Sequence, residues 1–259
     1  LRTLIKLGGT LLDAVESRSA IAAQIAELHA TAPATVVVHG GGKQMTRFLA
    51  ERGVESRFVR GLRVTSPEVV DAVLKVFAGS VNKELVASLI AAGAPAVGLS
   101  GIDGALAVAE PLDPELGAVG KITQLNAGVL EALVGANYLP VVACVAGGRG
   151  GVVYNVNADQ MAVACATGFR ADRLIFLTDV EGVRGADGSR LSRLTSSAAK
   201  ALIEKGIATG GMQAKLEAAC AGLEGGAGEV VIAPGAEPGV VRRLLAGEEI
   251  GTRLVEGAC

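Results

Sequence analysis

The chain has 259 residues, half of them hydrophobic, with 36 glycines, no tryptophan, few other aromatics and a formal net charge of −2. That length supports a large core, as one α/β domain or two lobes sharing a sheet, and the Ala/Val/Leu/Ile-rich vocabulary suits buried parallel strands under close-packed helices. Scattered Lys and Arg without interleaved aromatics argue against nucleic-acid binding, and apolar runs such as YLPVVACVAGG (138–148) fall short of the roughly 18–20 residues that cross a bilayer.

No charged-then-apolar leader precedes the first strand, so a soluble cytoplasmic protein is expected. The four cysteines, Cys144, Cys165, Cys220 and Cys259, are widely spaced without a CxxC and read as core thiols of a reducing compartment. With only His29 and His39 present, a histidine-based metal site is nearly excluded.

In chain order, TLIKLGG (3–9) reads as a strand ending in glycines, and SRSAIAAQIAELHA (17–30) as a helix with Ile21, Ile25 and Leu28 at helical spacing. ATVVVHGGG (34–42) is the next strand, and Gln44–Arg52 the next helix. This strand–helix alternation predicts a parallel sheet with right-handed crossovers. Residues 67–93 read as helical, 94–101 as a strand, 125–137 as a helix and 138–148 as a strand. A turn-rich stretch, GGRGGVVYNVNADQ (147–160), leads to a helix from Gln160 to Gly168 and the strand RLIFLTDV (173–180). The last third gives helices at 196–205 and 213–223, a strand at 229–235 and a short helix at 238–246. A lobe boundary is expected near residues 171–173. Glycines recur at the carboxyl ends of strands, where open α/β sheets collect ligands.

Three glycines after VVVH (36–39) can face an ester oxyanion, a dinucleotide or a transferable phosphoryl group. A hydrolase would need a GxSxG elbow and a late histidine; GLSGIDG (98–104) breaks the spacing and no histidine follows His39. Neither KLGGT (6–10) nor HGGGKQ (39–44) has the GxGxxG spacing, and no GxxxxGK[ST] occurs. Glycine turns offering N–H groups beside lysines remain able to hold phosphate. Lys6, inside an otherwise apolar strand, needs a partner or a function unless it snorkels from the strand end. Taken singly, Lys215 reads as a surface residue, Asp159 as a helix cap, Asn155 and Asn157 as turn residues, and Arg63 as either a carboxylate clamp or a surface ion pair.

In order along the whole chain, KLGGT (6–10), VHGGG (38–42), GLRVT (61–65), GSVNKELV (79–86), AVGLSGIDG (96–104), YNVNAD (154–159), LTDVEGV (177–183), GGMQAK (210–215) and GTRL (251–254) resemble the amino acid kinase family, and within it the members that phosphorylate N-acetylglutamate. The resemblance implies a three-layer αβα sandwich around a largely parallel open sheet. It also implies two lobes, 1–172 for the amino-acid substrate and dimerisation and 173–259 for ATP.

The activity so implied is transfer of the γ-phosphoryl of ATP, with Mg2+, to the side-chain carboxylate of N-acetyl-L-glutamate, a step of arginine biosynthesis. The acceptor is already ionised, so no general base is needed. By resemblance, Lys6 and Lys215 flank the phosphoryl group and Asp159 stands between them. Gly8 and Gly9 bind phosphate, and Gly41, Gly42, Arg63 and Asn155 bind the acceptor. Thr178, Asp179, Val180, Gly182 and Val183, with Ile207, Ala208, Thr209, Gly210 and Met212, line the nucleotide. Magnesium arrives on ATP without a dedicated protein cage, and His39 is read as fixing its loop.

Lys43, Ser66 and Lys121 stand where the family commonly has proline, aspartate and an acidic residue. The alternatives are a sister kinase acting on acylated aminoadipate and a non-catalytic amino-acid sensor; intact Lys6, Asp159 and Lys215 argue against the sensor. With Lys6 so near the start, an arginine-insensitive homodimer is expected.

Overall fold

Strands whose residues are all aliphatic or β-branched, with no polar alternation, need cover on both faces, and this chain supplies helices between them. The computed structural model describes residues 1–256, so Cys259 lies outside the described residues. The chain opens with β1 (Thr3–Leu7), α1 (Val15–Thr31), β2 (Thr35–His39) and α2 (Gly42–Ala50), then a small hairpin of β3 (Phe58–Val59) and β4 (Leu62–Arg63). Next come α3 (Pro67–Val73), a π-helical stretch Leu74–Val81, α4 (Asn82–Ala91), β5 (Ala96–Ser100), β6 (Ala107–Pro111), β7 (Gly120–Leu125), α5 (Gly128–Gly135) and β8 (Leu139–Ala143). β9 (Val145–Gly147), β10 (Val153–Asn155), α6 (Ala158–Phe169), β11 (Arg173–Thr178) and β12 (Arg193–Thr195) follow. The chain continues through α7 (Ser196–Glu204), α8 (Gly210–Glu224), β13 (Glu229–Pro234), α9 (Val240–Leu245) and β14 (Thr252–Val255).

Eight strands form one sheet in the order β12-β14-β13-β11-β1-β2-β8-β5, parallel throughout except for β13 against β14. The fold is the α/β architecture with a largely parallel sheet that the strand–helix alternation predicts. β1, β2 and β8 are buried at every residue. Residues from 173 onward supply the four strands at one edge, and earlier residues the other four. Leu7 pairs with both His39 and Leu177. The loops after β1, β2 and β11 therefore leave the sheet side by side, which brings Gly8, Gly40 and Asp179 to one rim.

Three local differences from the sequence reading have physical reasons. The 67–93 stretch is helical but widens into a π-helix over Leu74–Val81, which hydrophobic spacing alone does not reveal. α6 begins at Ala158 because Asn157 caps it, its Oδ1 accepting from Asp159 N–H (2.8 Å) and Gln160 N–H (3.2 Å). The sequence reading does not separate a second, four-stranded sheet, β10-β9-β6-β7: β9 falls inside the 138–148 strand, β10 inside the turn-rich stretch, and β6 and most of β7 in residues given no element. Its strands have three to six residues, and the β9–β10 connection passes through Gly150 and Gly151 at positive φ, so the segment carries the punctuation of a loop.

Candidate active site

The parallel ladder runs one residue into each glycine loop: Gly8 N–H donates to Leu177 O (2.9 Å) and Gly40 N–H to Leu7 O (3.3 Å). Beyond those points the two loops touch. A Cβ on Gly9 would lie 3.3 Å from Gly42 N, and one on Gly41 would lie 2.9 Å from the Phe77 ring. Gly41 has an extended backbone (φ 174), so space rather than conformation requires glycine there. Among the described residues no backbone acceptor takes the N–H of Gly9, Gly41 or Gly42. Gly42 also starts α2, whose first N–H groups have no partner within the helix, so the rim concentrates donors suited to an anion.

Lys6 projects from the middle of β1 and is 7% exposed. Its Nζ lies 2.7 Å from Asp159 Oδ1, and Lys215 Nζ, from the second turn of α8, lies 3.9 Å from Asp159 Oδ2. The cap reading of Asp159 is displaced by Asn157, which leaves the Asp159 carboxylate to face the two ammoniums. A buried ammonium is tolerable with such a counter-ion. One carboxylate between two lysines leaves the cluster net positive, a charge that an incoming phosphoryl group would neutralise.

Arg63 ends β4 and is 8% exposed. Nη2 donates to Thr46 Oγ1 (2.8 Å) and Gly42 O (3.1 Å), Nη1 donates to Ser56 Oγ, and the guanidinium lies 4.6 Å from the centre of the Phe58 ring. Burial pulls its pKa down, and it remains a cation. Among the described residues no carboxylate pairs with it, which is the state expected of a group reserved for an anionic ligand. Asn155 Nδ2 donates to Thr65 Oγ1 (3.0 Å).

A cavity of about 620 Å3 brings Lys6, Gly8, Gly9, Gly42, Arg63, Thr178, Asp179 and Lys215 onto one wall system, with Lys43 and Arg47 at its side. An adjoining chamber of about 160 Å3 shares Gly42, Phe58 and Arg63 with it and adds Gly41, Asn155 and the apolar Phe77, Val119 and Cys144. The remaining nucleotide candidates divide. Val180, Ile207, Thr209 and Gly210 are exposed and Met212 is half-buried, whereas Gly182, Val183 and Ala208 are buried behind the surface. Val183 N–H donates to Thr252 Oγ1 at 2.8 Å.

His39 has no exposure, and burial pushes its imidazole down to about 4, so it is neutral near pH 7. Its Nδ1 lies 2.8 Å from Gly40 O, in keeping with a loop-fixing role. The three departures from the family pattern also find places. Lys43 borders the large cavity. Ser66 caps α3, its Oγ accepting from Val69 N–H (3.4 Å), the same service an aspartate gives. Lys121 faces Glu110 across β6 and β7. Sequence reasoning missed Thr46, Ser56, Phe58, Phe77 and Asn82. Asn82 stood inside the quoted GSVNKELV block; the others have contacts set by tertiary structure and gave no local signal.

The sequence profile of the amino acid kinase family matches residues 1–234. The acetylglutamate kinase of Solibacter usitatus is 62% identical over 255 residues, 98% of this chain and 99% of its own. That of Methanopyrus kandleri is 45% identical over 239 residues, 88% of this chain and 93% of its own. Among solved structures, the N-acetylglutamate synthase of Neisseria gonorrhoeae complexed with coenzyme A and N-acetyl-glutamate matches with a TM-score of 0.89 at 27% identity; the match covers 100% of this chain and 60% of that one.

Proposed function

The chain belongs to the amino acid kinase family, and from that premise we propose that it transfers the γ-phosphoryl group of ATP to the side-chain carboxylate of N-acetyl-L-glutamate. The products are N-acetylglutamyl 5-phosphate and ADP, within arginine biosynthesis, in line with the acetylglutamate kinases it resembles. The observation that carries the reading is the pairing of two sites. The Lys6–Asp159–Lys215 cluster stands at the glycine rim, and a buried Arg63 without a carboxylate partner stands across the same cavity.

In this reading the carboxylate oxygen attacks the γ-phosphorus in line, and the β-phosphate oxygen leaves as ADP. Lys6 and Lys215 balance the charge on the transferring oxygens, while Asp159 holds the ammoniums in place and limits their repulsion. The N–H groups of Gly8, Gly9, Gly41 and Gly42 supply preorganised donors at phosphate and acceptor. Arg63 takes the α-carboxylate through its planar fork, Asn155 bonds the acetamido or carboxylate end, and the apolar chamber by Phe77 and Val119 receives the acetyl group.

The nucleotide lies against Thr178, Asp179 and the start of α8, with Val180, Ile207, Thr209, Gly210 and Met212 around the base and ribose, and Gly182, Val183 and Ala208 shaping the wall behind. Magnesium enters on ATP with phosphate oxygens and water as ligands. Asp159 is occupied by two lysines, so Asp179, on the cavity wall, would be the carboxylate available to the hydrated ion.

We assign the acceptor side to residues 1–172 and the nucleotide side to 173–259, the division at which the sheet passes from β1 to β11. The protein is further proposed to be a cytoplasmic homodimer. Cys144, Cys165 and Cys220 are free thiols, as a reducing compartment requires. No helix among the described residues is long and apolar enough to cross a membrane. The surface of α4 exposes Ile90 (56%) beside a shallow groove where Ala87 and Ala91 lie among Arg18, Ser19, Glu84 and Ser88, and we assign this face to a second copy.

Hydroxylamine trapping tests the chemistry, because an acyl phosphate acylates hydroxylamine and simple ATP hydrolysis does not. Hydroxamate should accumulate with N-acetylglutamate present; ADP without hydroxamate would show an ATPase instead.

A further inference from the structure

Behind the glycine loop lies a buried polar chain that the proposed chemistry leaves unused. Where Nδ1 of His39 faces Gly40 O, its Nε2 lies 3.0 Å from Asn82 Nδ2. Asn82, without solvent exposure, also donates from Nδ2 to Val141 O (2.9 Å), and its Oδ1 accepts from Lys83 Nζ (3.2 Å). A carbonyl oxygen only accepts and an ammonium only donates, so the Asn82 amide is oriented from both ends. Its NH2 group therefore donates to Nε2, which leaves the imidazole proton on Nδ1, directed at Gly40 O.

A trans peptide is planar, with its C=O and N–H pointing in opposite directions. Tying Gly40 O back to His39 turns the Gly41 N–H the other way, and Gly40, Gly41 and Gly42 all border the smaller chamber. The plane lies between two glycines, whose backbones offer little restraint of their own.

We propose that His39 and Asn82 are positioning residues: Asn82 selects the ring tautomer, and the ring sets the Gly40–Gly41 peptide so that Gly41 N–H meets the carboxylate being phosphorylated. The inference rests on the kinase reading above. It adds a pair that touches neither substrate and gives the histidine beside the glycines a task other than proton transfer.

The first test needs no variant. The chain has two histidines, so ring-nitrogen NMR of the 15N-labelled whole protein reads His39 directly. A proton held on Nδ1 without titration from about pH 5.5 to 8 is expected. A neutral His39 ring with its proton on Nε2 overturns the tautomer assignment whether or not the chain is active.

The second test separates positioning from packing. His39→Asn keeps an amide donor where Nδ1 stands, whereas His39→Gln carries it out toward Nε2. With N-acetylglutamate as acceptor, His39→Gln and Asn82→Ala are each expected to lower kcat about tenfold with KM for ATP within about twofold, and His39→Asn to recover most of that loss. Equal losses in the two His39 variants, or an Asn82→Ala kcat within about twofold of the parent, contradict the positioning role. Failure of the unsubstituted chain to phosphorylate N-acetylglutamate counts against the kinase reading instead, while the NMR result still judges the tautomer.

Discussion

Lys6, Lys215 and Arg63 divide the work at the site, and kinetics can tell their parts apart. Removing either ammonium leaves charge on the transferring oxygens unbalanced, so Lys6→Ala and Lys215→Ala should each lower kcat by about a hundredfold or more; near-normal turnover in either would move that lysine away from the phosphoryl group. Arg63 is proposed to bind the part of the acceptor that does not react. Arg63→Ala should chiefly raise KM for N-acetylglutamate, and Arg63→Lys should restore little because an ammonium lacks the planar fork; an effect confined to ATP would contradict the assignment. His39 adds a pH dependence. Its folded value of about 4 lies below the ordinary 6.5, so the unfolded chain takes up a proton in that interval that the folded chain refuses. Its contribution is intact above about pH 6.5 and falls as pH drops toward 4, by about 2 kcal/mol at pH 5. Urea unfolding of the parent and His39→Asn at pH 7.5 and 5 should show this extra loss in the parent alone. Of the charged members of the site, Lys6 was conspicuous in the sequence as a lysine in an apolar strand, whereas Lys215, Asp159 and Arg63 read singly as ordinary residues and were singled out by the resemblance to the amino acid kinase family. Thr46, Ser56 and Phe77 were not, since their part depends on neighbours far along the chain.

At the level of elements, two glycines mark where helices and strands press together. Gly41 meets Phe77 on the π-helical stretch, so Gly41→Ala should both displace the loop and lower kcat by tenfold or more, whereas Gly135→Ala, at the end of α5 with nothing within 4 Å, should leave kcat unchanged. Gly98 on β5 faces the Asn82 side chain, where a Cβ would lie 2.1 Å from Oδ1. Gly98→Ala should cost about 1–3 kcal/mol of stability in denaturant unfolding and disturb the His39–Asn82 pair with it; an unchanged midpoint would mean that α4 yields more easily than its packing implies. Long periodic helices and unbroken β-branched strands were readable because each carries its own period. The π-helix and the β6–β7–β9–β10 sheet were not. The first keeps helical hydrophobic spacing; in the second, β9 and β10 have three residues each about a glycine turn, and the β6–β7 pairing carries a register shift between Val108 and Ala109.

Across the whole molecule, one largely parallel sheet carries the glycine loops after β1 and β2 and the TDV segment at the end of β11 to a single rim, and the proposed function places the acceptor on the first part of the chain and the nucleotide on the second. The order of strands and helices along the sequence was enough to foresee a parallel sheet, but the antiparallel turn of β13 against β14 depends on how the last residues fold back. Sedimentation should show a species of twice the chain mass, and Ile90→Glu should shift it toward monomer by charging the face of α4 assigned to the second copy; a parent that sediments as a monomer would remove the dimer. The identity of the acceptor is read by ADP release measured in parallel with N-acetyl-L-glutamate, L-glutamate, L-aspartate and N-acetylaminoadipate. Release should depend on N-acetyl-L-glutamate, with the other three far slower at equal concentration; faster release with N-acetylaminoadipate, or release with none of the four, would overturn the acceptor assignment.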